Sequence, residues 1–332
     1  MNIAPYILAH GNWISMAEFM EVALYDEETG YYSNNIPGIG FRGDFSTAAT
    51  MSNLPARRIV ALWRESCKAC GCRLPIIEIG GGNGDMAMAV RNEFSLWEKM
   101  FARYIMVDRS PSLRKLQRLV AGSAVSICDS VEKALRKVNG RAFLFSNELP
   151  DAFPARQFVY QNGEWWELGL AVVEGKVIRQ ADKQALPAST AFAHWAREGQ
   201  VIEVHESYHK WYAEWQKYWH AGTYLTIDYG QTVDKLYYRR PAGSLRGYKA
   251  HTLLQADELP PLAGKCDITA DVNFTDLMNL ARGCEGDAVQ YLSQRDFLLP
   301  MADLNKAEER HLVQEGGAGS YFNVLIQHRY GN

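Results

Sequence analysis

The chain has 332 residues, 47% of them hydrophobic, and a formal net charge of -3 at pH 7. It can therefore bury a large core in one elaborated domain or in two small ones. The slight acidity, without a run of lysine and arginine, argues against nucleic acid as the main partner and is compatible with a protein substrate. The sequence has no apolar span of 18 residues and no leader pattern, so we expect no membrane insertion and a cytoplasmic location.

Residues 1–70 predict an N-terminal helical cap with a long loop inside it. Helices are predicted over residues 15–24 and 54–70, and between them lies the aromatic, glycine-rich segment YYSNNIPGIGFRGDFSTAAT, residues 31–50. Long ordered loops are often lids or binding elements, so we expect this loop to close over a ligand site. Three of the six cysteines fall in CKACGC, which is too few ligands for a complete zinc site, so reduced thiols are expected.

The segment IIEIGGGNGDMAMAV, residues 76–90, predicts a strand-to-helix turn where a ligand can approach bare backbone. A dinucleotide fingerprint would need a glycine at Asp85, and a P-loop would need a lysine after Gly84. What remains is Glu78-x-Gly80-x-Gly82-x-Gly84, which resembles the first motif of class I S-adenosylmethionine (SAM) methyltransferases. A tight turn without a ligand is the alternative.

Three more strand-like runs end in polar residues. YIMVD ends at Asp108, placed as a ribose-binding acid would be after such a turn. AVSIC is followed by Asp129 and Ser130, where adenine contacts commonly fall in this type of fold, and AFLFS by Asn147 and Glu148. Polar residues at these positions are also ordinary helix caps, so the pattern alone leaves both roles open.

The fold class predicted from this order is α/β. Residues 76–147 alternate strand and helix, as in a parallel sheet covered on both sides. Asn-Gly and Glu-Gly in QFVYQNGEWWELGLAVVEGKVIR predict antiparallel hairpins, and TYLTIDYG and SYFNVLIQH predict later strands of the sheet. We therefore expect a cap over residues 1–70 and a Rossmann-like class I domain over 71–332, with a β-rich insertion around 156–204.

Several segments together resemble the MidA-like family of SAM-dependent methyltransferases, which includes a mitochondrial complex I assembly factor that methylates protein arginine. They are GYY followed by GDFSTA, EIGGGNGD, SNELPDAFPARQF, LTIDYG, and LRGYKAH followed by DITADVNF. The resemblance implies the class I fold, the cofactor SAM and a protein substrate. The chain departs from the family pattern at Thr50, Ala56, Gly81 and Asn83.

The resemblance also implies a set of site residues. Glu148 and Asp151 are the predicted catalytic pair, since two carboxylates can grip the planar guanidinium of an arginine. The predicted cofactor-binding residues are Gly43, Asp44, Glu78, Gly80, Gly82, Gly84, Asp108, Asp129, Ser130 and Asn147. The candidates for an acceptor pocket are Asp228, Tyr229, Arg246, Tyr248 and His251, and Arg246 could equally be a structural ion-pair partner.

Two other functions remain open at this point. His205, Glu206 and His209 match H-E-x-x-H, which on a helix can bind zinc in a metallopeptidase. The aromatic residues around them have helical spacing typical of a core stripe and no clear third ligand follows, so we expect no metal there. A relative without activity that only binds SAM or a partner protein is the other alternative.

Overall fold

A computed structural model describes residues 1–34, 52–238, 240–250, 252–283 and 287–329. Most of the predicted lid loop, with Gly43, Asp44 and Thr50, lies outside the described residues, as does His251. Within the described ranges, none of the helices combines the length and the hydrophobicity that a membrane span requires.

The described residues pack into two compact units. The hairpin unit takes the described part of Met1–Gly38 with Pro150–Trp211 and Gly230–Leu277. The sheet unit takes the described part of Ile39–Leu149 with Tyr212–Tyr229 and Met278–Asn332. The domain boundaries that we expect from the sequence stay predictions.

The helices are numbered in chain order. They are α1 (Ala4–Ala9), α2 (Met16–Tyr25), α3 (Tyr31–Asn34), α4 (Leu54–Ala69), α5 (Asp85–Asn92), α6 (Leu96–Phe101), α7 (Pro111–Ala121), α8 (Val131–Arg136), α9 (Ala191–His194), α10 (Glu206–Gln216), α11 (Val233–Leu236), α12 (Phe274–Arg282), α13 (Gln294–Leu298) and α14 (Ala307–Val313). The two predicted N-terminal helices are confirmed as α2 and α4. Ser15 begins α2 with a capping box, because its hydroxyl accepts from the Glu18 amide and the Glu18 carboxylate accepts from the Ser15 amide.

The strands are numbered in the same way. They are β1 (Trp13–Ser15), β2 (Ile76–Ile79), β3 (Tyr104–Val107), β4 (Ser126–Cys128), β5 (Arg141–Asn147), β6 (Arg156–Gln161), β7 (Glu164–Val173), β8 (Lys176–Asp182), β9 (Val201–Val204), β10 (Ala221–Gln231), β11 (Arg246–Lys249), β12 (Thr252–Gln255), β13 (Asp267–Thr269), β14 (Val272–Asn273), β15 (Ala288–Ser293) and β16 (Phe322–Arg329).

The sheet unit is built on a mixed sheet with the order β15-β16-β10-β5-β2-β3-β4. From β4 to β10 neighbouring strands are parallel, whereas β16 runs antiparallel to both β10 and β15. The chain moves outward from β2 through β3 to β4 and then returns to place β5 on the other side of β2. Such a reversal is the point at which open α/β sheets bind ligands, and the predicted Rossmann-like α/β fold is confirmed.

Helix α4 is a main element of the core of the sheet unit. Ile59, Val60 and Trp63 are buried on it together with side chains of the sheet, such as Ile76 and Phe143. The indole nitrogen of Trp63 donates to the Leu74 carbonyl at 2.8 Å, so the large ring is buried without losing its hydrogen bond.

The hairpin unit contains the antiparallel hairpins predicted from the sequence. β7 pairs with β6, β8 and β1, and β6 pairs with β9. Asn162 and Gly163 have φ of 53° and 80°, and Glu174 and Gly175 have φ of 50° and 74°, the left-handed values that a tight two-residue turn requires. A separate three-stranded sheet has β11 between β12 and β13.

Candidate functional site

The glycine turn and three acids follow the carboxyl ends of the parallel strands in the sheet unit. Gly80 follows β2, Asp108 follows β3, Asp129 follows β4 and Glu148 follows β5. Strands β2 and β5 are neighbours, with Ile79 paired to Ser146. The residues that come next are therefore brought to one edge of the sheet, as predicted.

The glycine turn needs its glycines for two different reasons. Gly80, Gly82 and Gly84 have φ of 70°, 54° and 96°, which side chains rarely permit. At Gly81 the obstacle is space, because a Cβ there would lie 2.6 Å from Met106 Cε and 2.8 Å from Glu78 Cδ. A side chain at position 81 would therefore displace Met106 or Glu78.

Glu78 lies beneath this turn and is 2% exposed. Burial raises the pKa of its carboxyl group to about 8, although the Tyr104 hydroxyl, which donates to Oε2 at 2.8 Å, opposes the shift. At neutral pH the group is mainly protonated, so it packs as a neutral hydrogen-bonding group rather than as a fixed negative charge. Its predicted contact with the cofactor stays a prediction.

Asp108 is held at the end of β3 by hydrogen bonds to both of its carboxylate oxygens. The Ser110 amide donates to Oδ1 at 2.9 Å, and Gln117 Nε2 donates to Oδ2 at 3.1 Å. Gln117 Nε2 also lies 2.9 Å from the Gly82 carbonyl, so one amide joins the glycine turn to the acid. Burial raises the pKa of Asp108 to about 6.

Gln117 is a residue that sequence reasoning missed. It lies on α7 and is completely buried, and its Oε1 has no hydrogen-bond partner in the described part of the chain. A glutamine on an amphipathic helix is ordinary, so the sequence carried no signal for this role.

Ser130 has the capping role that the sequence left open, whereas Asp129 forms an ion pair. Ser130 is the N-cap of α8, and its hydroxyl accepts from the Lys133 amide at 3.3 Å. Asp129 is exposed and pairs with the Lys133 ammonium at 2.7 Å. The two residues stand at the expected edge of the sheet, and their contact with a cofactor stays a prediction.

Asn147 is the last residue of β5, and Glu148 follows it. The Glu148 amide donates to the Ile227 carbonyl of β10 at 2.9 Å, and Asn147 Nδ2 donates to Glu148 Oε1 at 2.9 Å. Glu148 has φ of 53°, which is uncommon for a residue with a side chain and is often found at functional sites. Asn147 Oδ1 is buried and has no hydrogen-bond partner among the described residues.

Asp228 and Tyr229 continue β10 past this edge. Asp228 is fully buried, and its Oδ1 accepts from the Tyr229 amide at 2.7 Å. The Tyr229 ring packs on Phe322, with ring centroids 3.9 Å apart. Both residues have structural contacts, and an acceptor contact stays a prediction for them.

Asp151 belongs to the hairpin unit, where it lies in a short 3-10 helix, Pro150–Ala152. The side chain is 7% exposed and accepts from the Thr269 hydroxyl at 2.7 Å. Its carbonyl accepts from the Ala270 amide at 3.2 Å. Burial raises the pKa of Asp151, while the Thr269 hydroxyl and the charge of Arg246 oppose that rise.

Arg246 and Tyr248 lie on β11 of the same unit. Arg246 Nη1 donates to Asp271 Oδ1 at 2.6 Å and to the Ser244 carbonyl at 3.0 Å. Its Nε donates to the Tyr248 hydroxyl at 3.0 Å. The ion-pair role that the sequence left open for Arg246 is therefore present.

The H-E-x-x-H segment does not place both histidines within a helix. Helix α10 begins at Glu206, so His205 precedes it, while Glu206 pairs with Arg156 and Lys210. Burial lowers the pKa of His205 to about 3, and its Nε2 has no hydrogen-bond partner among the residues that the structure describes. The aromatic stripe is confirmed, with Tyr208, Tyr212, Trp215 and Trp219 buried.

The edge of the sheet unit has the groups that SAM would need. Its ribose hydroxyls suit the oxygens of Asp108, and its amino acid part suits a turn of bare backbone at the N-terminus of α5. The buried Oδ1 of Asn147 is an acceptor without a described partner, as expected of a residue that bonds a ligand. The residues therefore fit this cofactor.

Comparisons with known proteins agree with this fit. A family model described as "Putative S-adenosyl-L-methionine-dependent methyltransferase" matches residues 54–292. A crystal structure from Burkholderia thailandensis, bound to S-adenosyl-homocysteine, has 26% identity and a TM-score of 0.87, and the match covers 99% of this chain and 91% of that one. A second crystal structure from this organism has 25% identity and a TM-score of 0.82 over the same shares.

Two curated relatives are also similar along most of the chain. The mitochondrial protein arginine methyltransferase NDUFAF7 of Danio rerio is 25% identical, and the match covers 90% of this chain and 75% of that protein. The protein of the same name in Rattus norvegicus is 25% identical, and the match covers 87% of this chain and 70% of that protein.

Proposed function

Because the chain belongs to this family of SAM-dependent methyltransferases, we propose that it transfers the methyl group of SAM to an arginine side chain of a protein. The observation that carries the choice of acceptor is the pair of acids directly after β5, Glu148 and Asp151. The names of the curated relatives support the same acceptor.

In this proposal the sheet unit holds the cofactor, which supplies a methyl group on a positively charged sulfur. The backbone of Gly80 to Gly84 accommodates the amino acid part, Asp108 accepts from the ribose and Asn147 Oδ1 accepts from a polar group of the ligand. Gln117 fixes the position of Asp108 relative to the glycine turn, because its Nε2 donates a hydrogen bond to each of them. Each of these roles uses a contact or an acceptor that the folded chain already has.

The two acids have a different role. A carboxylate binds a guanidinium through charge-assisted hydrogen bonds that also fix its plane. Holding the acceptor nitrogen in one orientation is most of what a methyl transfer asks of the protein, since the cofactor supplies the reactive group. Either carboxylate, that of Glu148 or that of Asp151, would therefore bind and orient the arginine.

The change Asp151→Asn tests this role. It removes the charge and keeps a carbonyl, so SAM affinity by calorimetry should stay the same while transfer of labelled methyl groups to arginine-containing proteins falls about 10- to 100-fold. Asp257→Asn, at a side chain that is 76% exposed, is the matched control. Unimpaired transfer by Asp151→Asn would refute the role of Asp151.

The wild type decides between the proposal and its main alternative. A wild type that binds SAM but transfers nothing to any protein of a cell extract would favour a relative without activity that only binds SAM or a partner. Transfer to lysine or to a terminal amine instead of arginine would overturn the proposed acceptor.

A further inference from the structure

The segment DITADVNF, residues 267–274, contains a polar face that the proposed function does not use. Asp267 and Thr269 alternate along β13, and both are buried. In the antiparallel register Thr269 pairs with Arg246, and Asp267 pairs with Tyr248 on β11. This ladder therefore carries a row of polar side chains within the hairpin unit.

Asp151 is tied to this ladder at two points. The Thr269 hydroxyl donates to Asp151 Oδ2 at 2.7 Å, and the next amide, that of Ala270, donates to the Asp151 carbonyl at 3.2 Å. The first bond orients the carboxylate and the second places the backbone that carries it. Both Asp151 and Thr269 are less than one tenth exposed, so water competes little for these bonds.

We propose that Thr269 is the positioning residue for Asp151, holding its carboxylate in the orientation that binds a guanidinium. A hydroxyl that donates to a carboxylate stabilises the charged form, and a short bond to one oxygen limits rotation of the group. The inference rests on the proposed function, because it assumes that Asp151 binds the arginine acceptor.

Among the groups that favour the anion of Asp151, the Thr269 hydroxyl has the largest effect, followed by the charge of Arg246 and the Ala152 amide. Burial favours the neutral acid, and the charge of Asp271 favours it as well. Arg246 favours the anion, but its guanidinium is shared with Asp271, Ser244 and Tyr248. The Tyr32 hydroxyl donates to Asp267 at 2.6 Å, and the charge of Asp151 contributes to raising the pKa of Tyr32.

The test compares Thr269→Val, which keeps the shape and loses the donor, with Thr269→Ser, which keeps the donor. We expect Thr269→Val to lower kcat for an arginine-containing peptide about 10- to 100-fold, with SAM affinity unchanged, and to move the acidic limb of the pH-rate profile to higher pH. Thr269→Ser should recover most of the rate and the original limb. A merely structural loss would lower the amount of folded enzyme without moving the pH profile.

A second measurement does not depend on activity. Carbon-13 NMR of labelled aspartate carboxyl groups follows the titration of Asp151, whose signal is identified by its absence in Asp151→Asn. We expect the pKa of Asp151 to be higher in Thr269→Val than in wild type and Thr269→Ser. An unchanged titration together with an unchanged kcat in Thr269→Val would overturn the positioning role.

The two measurements also separate the inference from the proposed function. A wild type without methyl transfer to arginine would defeat the proposed function, and with it the link from Thr269 to the acceptor. The NMR titration would then still decide whether the Thr269 hydroxyl lowers the pKa of Asp151. A wild type that transfers methyl groups, with Thr269→Val equal to it in both measurements, would defeat the inference alone.

Discussion

The Tyr104 hydroxyl donates to the carboxyl group of Glu78 at 2.8 Å, in the interior of the sheet unit. Tyr104 is 2% exposed, as is Glu78, so the acid lacks the solvation that normally stabilises its charge. The first residue of the glycine motif is therefore a buried acid beneath the turn, with its charge suppressed at neutral pH.

This burial predicts a dependence of stability on pH. The pKa of Glu78 is about 8 in the folded protein against an ordinary value of 4.5, so between these values the folded state binds more protons than the unfolded state. Stability contributed by Glu78 is complete below pH 4.5 and is lost as the pH rises towards 8, at up to about 1.4 kcal/mol per pH unit. Glu78→Gln mimics the neutral acid and should remove this loss.

Urea unfolding at several pH values between 5 and 8 measures the effect. As the pH rises, the free energy of unfolding of Glu78→Gln should increase relative to that of the wild type. Glu315→Gln, at an exposed position, should show the same pH dependence as the wild type. Parallel curves for wild type and Glu78→Gln would show that Glu78 does not retain its proton on folding.

Because Asp108 is expected to bind the ribose, its protonation should make SAM binding depend on pH. Its pKa of about 6 means that acidification from pH 7.5 to 5 protonates the acid that would accept from the ribose. SAM affinity by calorimetry should fall over this interval. Asp108→Asn should bind SAM about 10- to 100-fold more weakly at pH 7.5 and show little further change on acidification. Equal pH dependence in both proteins would place the titrating group elsewhere.

We expect a side chain at position 81 to clash with its neighbours, whatever the backbone conformation there. Gly81→Ala would bring Cβ against Met106 and Glu78, both buried, so we expect the turn to shift and SAM affinity to fall at least about tenfold. Gly283→Ala is the matched control, because a Cβ there meets nothing closer than 3.4 Å. If Gly81→Ala binds SAM with wild-type affinity, the side chains of Met106 and Glu78 move aside without weakening the binding site.

The position of His205 before α10 predicts that the H-E-x-x-H segment does not hold a catalytic zinc ion. We expect the purified protein to keep its melting temperature in a chelator and to show no stoichiometric zinc by elemental analysis. One tightly bound zinc ion per chain, lost in His209→Ala, would contradict this prediction and support the metallopeptidase hypothesis.

Features decided by local chemistry could be predicted from the sequence. The glycine turn, the Asn-Gly and Glu-Gly turns and the polar ends of the strands each depend on a few adjacent residues, and each lies where it is predicted. The α/β order follows from the alternation of apolar runs with amphipathic stretches. The residues placed at the edge of the sheet, such as Asp108 and Asn147, follow from that order.

Tertiary structure alone decided which distant side chains meet. Thr269 and Asp151 are 118 residues apart in sequence, and Gln117 and Gly82 are 35 apart. A threonine on a short strand or a glutamine on a helix satisfies local propensity in many folds, so the sequence carries no sign of its partner. Those partners are chosen when packing excludes water and most buried donors and acceptors must pair with each other, which is a property of the whole fold.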